Sequence, residues 1–284
     1  MVEPSIRIDT CTMAGIVGDY VSRTDATGWN VFTSFDWAAA DASRLTEDQR
    51  LAVVFITYVE DHLPDYFAEY NRLFPVDDRV DRDTYLCNRE LYRFTVRWAQ
   101  EEERHAHALS LYQVRSGLAD EDALRLRLFD EGRKRFRLAH TEPLQVAMYT
   151  LVQEKATYLF YRALASVIDE PVLRAILERL AQDEARHFAF FSRLMEAYVR
   201  TFAERVVPPM RAALTAFKMP LAETLHNYWR VALRVSDAAG GYDHTQAFED
   251  LIRVVQRAAG AATWSKSNTL VDFVDAVRGR AGAS

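Results

Sequence analysis

The chain has 284 residues, 49% hydrophobic and 27% charged, with a formal net charge of −6. That length buries enough surface to fold without staples, and the acidic balance argues against nucleic acid as the main partner, since no basic excess is there to displace phosphate counterions. The two cysteines, Cys11 and Cys87, fit neither a disulfide framework nor a cysteine zinc site, and no apolar run approaches the roughly 18 residues of a membrane span.

In chain order, residues 1–44 carry the least regular patterning. The opening MVEPSIRIDTCTMAG lacks the basic and apolar regions of a signal peptide and the Arg/Ser richness of a transit peptide. A cytoplasmic, reducing setting is therefore expected. The spacing predicts a long helix from Thr46, with Gln49 completing a capping box, to about Leu73, before Pro75. A second runs from Asp81 or Asp83 to about Arg115, where Ser116-Gly117 stops it. A shorter helix fills roughly 120–138. A third long helix follows Thr141-Glu142-Pro143, with proline in its first turn, and ends near Ile168. A fourth starts at Pro171 and continues to about Arg205, before Pro208-Pro209. Smaller helices are expected at about 221–236, 244–258 and 266–278, with a turn at Gly240-Gly241. Four helices far longer than the usual ~11–12 residues, joined by short connectors, describe an all-α bundle. Nothing marks a second domain, so residues 1–284 are read as one, with a core bundle at about 46–205, a helical extension at about 206–284 and additional helices at both ends.

Two segments share a pattern: Glu101-Glu102-Glu103-Arg104-His105 and Asp183-Glu184-Ala185-Arg186-His187. Each holds Glu-x-x-His inside a long helix, and residues three apart share a helix face, so carboxylate and imidazole can point at one ion. One copy is weak and reads equally as a solvated face. Two copies, each with an acid before it and an arginine at the same offset, are harder to set aside. Both sit on apolar stripes: Trp98, Ala99, Ala106 and Leu109 around the first, and Leu177, Leu180, Ala181, Phe188 and Phe191 around the second. A carboxylate ionised there needs a partner, which a cation supplies.

The other two long helices each offer one inward carboxylate. Glu60 lies among Val53, Ile56, Thr57, Leu63, Pro64 and Phe67, and Glu154 among Ala147, Thr150, Leu151, Thr157, Tyr158 and Tyr161. Each alone reads as a boundary residue. Together with the two Glu-x-x-His pairs they complete the di-iron or di-manganese set of ferritin-like four-helix bundles, and carboxylate with imidazole suits iron or manganese better than a soft metal. Because a metal-bound histidine usually gives its other N–H to a carboxylate, the pairs Asp183–His105 and Glu101–His187 are expected. Arg104 and Arg186 would neutralise this acid cluster, the alternative being surface salt bridges. His62 and His107 fall off the inward faces and are read as surface residues.

These residues resemble the soluble acyl-carrier-protein desaturase family. Its Trp-x-x-Glu-Glu-x-Arg-His appears as Trp98 to His105, its Asp-Glu-x-Arg-His as Asp183 to His187, its Thr-x-x-Glu-x-x-Leu-Pro-x-Tyr as Thr57 to Tyr66, and its Gln-Glu-Arg-Ala-Thr is similar to Gln153-Glu-Lys-Ala-Thr157. Phe217-Lys-Met-Pro220, Gly241-Tyr-Asp and Phe248 to Val255 look like later family segments, so the likeness spans roughly 45 to 258. It implies two iron ions held by Glu60, Glu102, His105, Glu154, Glu184 and His187, supported by Trp98, Glu101, Asp183, Arg104 and Arg186. It also implies O2 as co-substrate and Thr157 as an active-site threonine serving proton delivery. A threonine on an inward face otherwise bonds its own i−4 carbonyl. The implied reaction is desaturation of an acyl chain carried on acyl-carrier protein, with electrons from a ferredoxin-type donor, by a homodimer. The family's electron-entry tryptophan has two candidates, Trp29 and Trp37, either of which could be simple packing.

The acyl pocket is expected beside the metals, with Tyr158, Tyr161, Phe188 and Phe191 in its wall. Acidic partners would need a positive patch, and Arg133-Lys134-Arg135-Phe136-Arg137 is the densest basic run, though it also reads as a solvated helix face. A bundle of this kind leaves other reactions open: hydroxylation, N-oxygenation or aldehyde deformylation, ferritin-like iron storage, or acyl-thioester binding with no iron.

Overall fold

A computed structural model describes residues 6–225, 227–240, 242–243, 245–264 and 268–281, and every regular element among them is helical. The first is α1 (Thr10–Thr27), capped by Asp9, which accepts the Thr12 N–H at 2.9 Å. The expected irregularity of residues 1–44 is thereby corrected. Met13, Ile16, Val17, Tyr20 and Thr24 form a buried stripe at helical spacing, but Gly15 and Gly18 on the exposed face lower helix propensity. The helix is held by packing on the second long helix of the bundle.

Next come α2 (Glu47–Asp61) and α3 (Leu63–Leu73). The Thr46 hydroxyl accepts the Gln49 N–H at 3.2 Å, and the Gln49 side chain accepts the Thr46 N–H at 3.0 Å. A single helix to Leu73 was expected, but the chain breaks at His62 (φ −75, ψ 3). Pro64 has no N–H for the Glu60 carbonyl and its ring crowds that oxygen. His62 occupies the break and so leaves the face that an unbroken helix would give it. It is 1% exposed rather than on the surface, with Nδ1 2.6 Å from the Tyr58 carbonyl oxygen. His107 is exposed, edge-on to Phe32.

Asp81 caps α4 (Arg82–Arg115), which ends at Ser116-Gly117 with glycine in the left-handed region at φ 75. α5 (Glu121–Gly132) stops short of the expected 138. The N–H groups of Phe136 and Leu138 donate to Asp65 and Glu69 of α3 instead of continuing the helix. α6 (Pro143–Val167) and α7 (Pro171–Phe202) follow, α7 capped by Glu170 through the Leu173 N–H at 2.6 Å. Ala203 (φ 48) ends α7 before the expected Arg205, and a 3-10 turn leads to α8 (Val207–Thr215), so Pro208 and Pro209 begin a helix rather than close one. α9 (Tyr228–Ala238), α10 (Thr245–Trp264, kinked at Gly260) and α11 (Asn268–Ala281) complete the described chain. Residues 221–225 are turns rather than the start of a helix. His226, Gly241, His244 and residues 266–267, which the expected turn and helices include, lie outside the described residues.

Helices α2, α4, α6 and α7 form a ferritin-like four-helix bundle. α1 packs on α4 and α7, α9 on α2, and α10 on α6 and α7. The apolar side chains gather in two clusters, one around Phe94, Met148, Phe190 and Phe191, the other around Val53, Leu109, Leu164 and Leu177. On α4 and α7 the polar residues described next fall between these clusters in the sequence, and on α6 Glu154 lies near the end of the first cluster's stretch. No described helix is long and apolar enough to cross a membrane.

Candidate metal centre

Helical spacing brings Glu102 and His105 of α4 to one inward face, and Glu184 and His187 of α7 to another. Glu60 comes from the last turn of α2 and Glu154 from the middle of α6. All six are buried. They form two overlapping groups, Glu60, Glu102, His105 and Glu184, and Glu102, Glu154, Glu184 and His187, the candidate ligand atoms of each lying within 4.8 Å of one another. Glu102 and Glu184 belong to both.

The histidines are oriented alike. His105 Nδ1 faces Glu184 (3.5 Å), Glu102 (3.6 Å) and Glu60 (3.7 Å), while its Nε2 lies 3.2 Å from Asp183 Oδ2. His187 Nδ1 faces Glu102 (3.0 Å), Glu154 (3.3 Å) and Glu184 (3.5 Å), while its Nε2 lies 3.1 Å from Glu101 Oε2. Behind each acid stands an aromatic donor: the Trp29 indole N–H reaches Asp183 at 2.8 Å, and the Tyr20 hydroxyl reaches Glu101 at 2.5 Å. Arg186 pairs with Glu101 at 2.5 Å and with Asp183, and Arg104 lies 3.3 Å from Glu101 and 3.7 Å from Asp183. These two arginines are thus not simple surface ion pairs. Tyr20 and the hydroxyl of Tyr161, which donates to Glu60, have no counterpart in the motif reading, because their reach across the fold follows from tertiary packing.

The electrostatics are those of acids crowded in a dry volume. Burial, reinforced by Glu102, pushes Glu60 up to about 8, and burial with Glu184 beside it pushes Glu154 well above the carboxylate range. Burial also works against charge on Glu102 and the histidines, yet the facing imidazoles hold Glu102 down, and the surrounding acids raise both histidines well above their ordinary value.

Five buried atoms pointing into this cluster have no hydrogen-bond partner: Nδ1 of His105 and of His187, both carboxylate oxygens of Glu154, and Oε2 of Glu184. Each such atom costs roughly 1–3 kcal/mol unless something coordinates it. Two divalent cations would balance the charge of Glu60, Glu102, Glu154 and Glu184, just as Arg104 and Arg186 balance Glu101 and Asp183. Hard oxygen and imidazole donors suit first-row metals, so the residues fit a pair of metal ions.

One side of the cluster opens on a cavity whose wall includes Glu60, Glu102, Glu184, Trp98, Gln153 and Thr157. The Thr157 hydroxyl donates to the Gln153 carbonyl at 3.1 Å. The Trp98 indole N–H is buried without a partner, so Trp98 is a cavity wall rather than a hydrogen-bonded support. The expected pocket residues are distributed differently. Tyr161 is spent on Glu60. Tyr158 and Phe188 flank the Lys155 ammonium at 4.4 and 4.9 Å, and Phe191 lines a second cavity. Half-buried Phe136 and buried Leu138, from the segment after α5, line the first cavity in their place.

The basic run beside them is not a helix face. Arg133 lies 3.6 Å from Asp130, Lys134 2.5 Å from Glu131 and Arg137 3.0 Å from Glu69. Arg135 is exposed and in no ion pair among the described residues. Of the two candidate tryptophans, Trp29 joins the cluster, whereas Trp37 donates to the Val31 carbonyl at 2.9 Å and packs on Phe35. Cys11 is exposed, Cys87 is buried, and both are free thiols.

Residues 18–264 match the family described as fatty acid desaturase. Over 210 residues, 71% of this chain, the sequence is 25% identical to DesA1 of Mycobacterium tuberculosis, named as a candidate acyl-[acyl-carrier-protein] desaturase, and the match covers 59% of that protein. DesA2 of the same organism, named likewise, is 33% identical over 103 residues, 36% of this chain and 38% of that one. These matches therefore span less than two thirds of either relative's length. The X-ray structure of DesA2 superposes with a TM-score of 0.64 at 20% identity, covering 93% of this chain and 98% of that chain, and so shares the fold.

Proposed function

The chain belongs to the type 2 fatty acid desaturase family, and on that premise we propose that it introduces a double bond into an acyl chain carried as a thioester on acyl-carrier protein. O2 is the oxidant and a ferredoxin-type protein supplies electrons. A saturated –CH2–CH2– unit, O2, two electrons and two protons become –CH=CH– and two waters. The single observation that carries this reading is the six-residue carboxylate–histidine cluster opening directly onto a cavity inside the bundle.

Glu60, Glu102, His105, Glu154, Glu184 and His187 would hold two iron ions, or manganese, with Glu102 and Glu184 shared between them. Such a pair supplies the oxidising power that removes hydrogen from an unactivated methylene, which no side chain provides. The rest falls to the protein. Asp183 and Glu101 fix the two imidazoles with Nδ1 facing inward, a device that also raises ligand basicity. Tyr161 holds Glu60. Thr157 Oγ1, on the cavity wall, leaves its i−4 carbonyl to hold and pass a proton beside the cluster. Trp29, stacked nearly parallel to His105 at 6.5 Å and tied to it through Asp183, offers the route by which electrons enter.

Support for a carrier-bound chain comes from one wall of the cavity. The segment carrying Arg133, Lys134, Arg135 and Arg137 also contributes Phe136 and Leu138 to the cavity wall, so an acidic carrier docked on that segment would hold its thioester beside this wall. A homodimer is part of the same reading. Tyr85, Tyr92 and Val96 form an exposed row along α4, the kind of apolar face a second copy would cover. The test is mass spectrometry of acyl-carrier-protein thioesters after incubation with iron-loaded protein, O2 and a reducing ferredoxin system. The expected result is a loss of two hydrogens. A gain of one oxygen would assign the chain to a hydroxylase-type reaction, and unaltered thioester would remove the desaturase reading.

A further inference from the structure

The cavity beside the metal cluster and the second cavity have one wall residue in common, Tyr70. The second cavity is lined largely by hydrocarbon, including Met13, Leu91, Ala147, Phe191 and Leu194. Most of its polar residues are committed elsewhere: the Asn88 amide donates to the Pro75 carbonyl at 2.9 Å, Arg7 donates to Thr84, and the Cys87 thiol lies 3.7 Å from the Ile8 carbonyl oxygen, while Tyr198 adds a largely buried ring. A space walled mainly by hydrocarbon suits an alkyl chain better than a polar ligand.

Tyr70 is not loosely placed. It comes from α3, and its hydroxyl lies 2.6 Å from Thr150 Oγ1 on α6. The Thr150 hydroxyl donates to the Val146 carbonyl at 3.0 Å, so its proton is committed and Tyr70 is the donor between the two. The Trp98 ring of α4 lies 5.3 Å away, and Phe74 packs at 5.9 Å. A ring fixed at its tip by a buried hydrogen bond and packed by neighbouring rings does not move aside as a free tyrosine would.

We propose that the Tyr70–Thr150 hydrogen bond closes the far end of the acyl pocket and sets how much alkyl chain can extend past the metal cluster. The second cavity is then the space that a longer tail would enter once the bar is released. The proposal rests on the acyl-desaturase reading and names the residues that decide its chain-length range.

The test uses the metal-free full chain, so that it does not depend on turnover, and acyl-pantetheine thioesters graded by two carbons, with affinity measured by calorimetry. In the unaltered protein, affinity rises roughly fourfold per added methylene and then stops rising at a definite length. In Tyr70→Ala that stopping point moves to longer chains by at least one two-carbon step. In Tyr70→Phe and Thr150→Val, which remove the hydrogen bond without removing bulk, it moves part of the way while short-chain affinity stays within about twofold, so the proposal remains testable if the alanine variant fails to fold. The same stopping point in the unaltered protein and in both conservative variants overturns the proposal, as does the absence of any chain-length dependence. Failure of the desaturase reading looks different: the iron-loaded unaltered protein removes no hydrogen from any thioester, whatever the binding series shows.

Discussion

Trp29 and Asp183 meet at 2.8 Å, indole N–H to carboxylate, and the same carboxylate oxygen lies 3.2 Å from His105 Nε2. Across the cluster, Tyr20, Glu101 and His187 repeat the arrangement at 2.5 and 3.1 Å. Each histidine is thus held by an acid that is itself held by an aromatic donor and by arginine. Removing such an orienting acid typically costs 10–100-fold in metal affinity or activity. Asp183→Asn and Glu101→Gln are each expected to weaken metal binding by about that factor, and Trp29→Phe, which leaves the acid in place, by roughly tenfold at most. A metal titration monitored by calorimetry measures this, and an Asp183→Asn protein binding metal like the original would show that Asp183 does not position His105.

The two overlapping groups make a sharper prediction about stoichiometry. Glu60 belongs only to the group with His105, and Glu154 only to the group with His187. Glu60→Gln should therefore impair one ion and Glu154→Gln the other, each lowering bound metal from two towards one per chain after dialysis. The double variant should hold little of either. Elemental analysis against protein concentration gives the number. Loss of both ions from either single variant would mean that the cluster loads as one unit rather than as two sites sharing Glu102 and Glu184.

Thr157 separates a structural role from a chemical one. Its hydroxyl donates to the Gln153 carbonyl, a bond that contributes little to an intact helix. Thr157→Val should leave thermal stability within about 0.5 kcal/mol and metal content unchanged, yet lower the rate of double-bond formation by roughly 10²-fold if that hydroxyl passes a proton. Thr157→Ser should restore most of the rate. Equal rates for all three proteins would return Thr157 to packing.

Much of this architecture is readable from residue spacing, and the exceptions have physical reasons. The long helices announce themselves through caps and terminators: Thr46 with Gln49, Asp81, and proline in the first turns of α6 and α7. The meeting of six side chains from four helices is foreshadowed by Glu-x-x-His on two apolar stripes, because i and i+3 must share a face. α1 is expected from the sequence only as an unplaced helix at the N-terminal end, because the exposed Gly15 and Gly18 lower its local propensity and its formation depends on α4. The break at His62 had a visible cause in Pro64, but an apolar stripe continuing to Phe67 masked it. The basic run after Gly132 looked helical because the acids that pull it away, Asp65 and Glu69, lie some 70 residues earlier in the chain. The pocket wall was the least legible part, since Phe136, Leu138 and Tyr70 reach it from segments that no local period connects.

Glu69 is where that strap can be tested by pH. The carboxylate is buried and accepts two hydrogen bonds from Arg72, at 2.9 and 2.7 Å, one from Arg137 at 3.0 Å and one from the Leu138 N–H at 3.2 Å. Burial acts to raise its pKa, but the Arg72, Leu138 and Arg137 contacts outweigh it and hold the group below the ordinary 4.5. A carboxylate lowered in the folded state stabilises the fold fully above its unfolded pKa and loses that contribution as pH falls through the folded one. Glu69→Gln keeps the shape but not the charge, so at neutral pH it should be less stable than the original by roughly 1–2 kcal/mol, and the difference should shrink towards zero as pH drops below about 4. Urea unfolding of both proteins across that range, each in the same metal-free state, isolates the Glu69 contribution from the acids of the cluster. A difference that stays constant with pH would mean that the strap is held by the packing of Phe136 and Leu138 rather than by the ionised carboxylate.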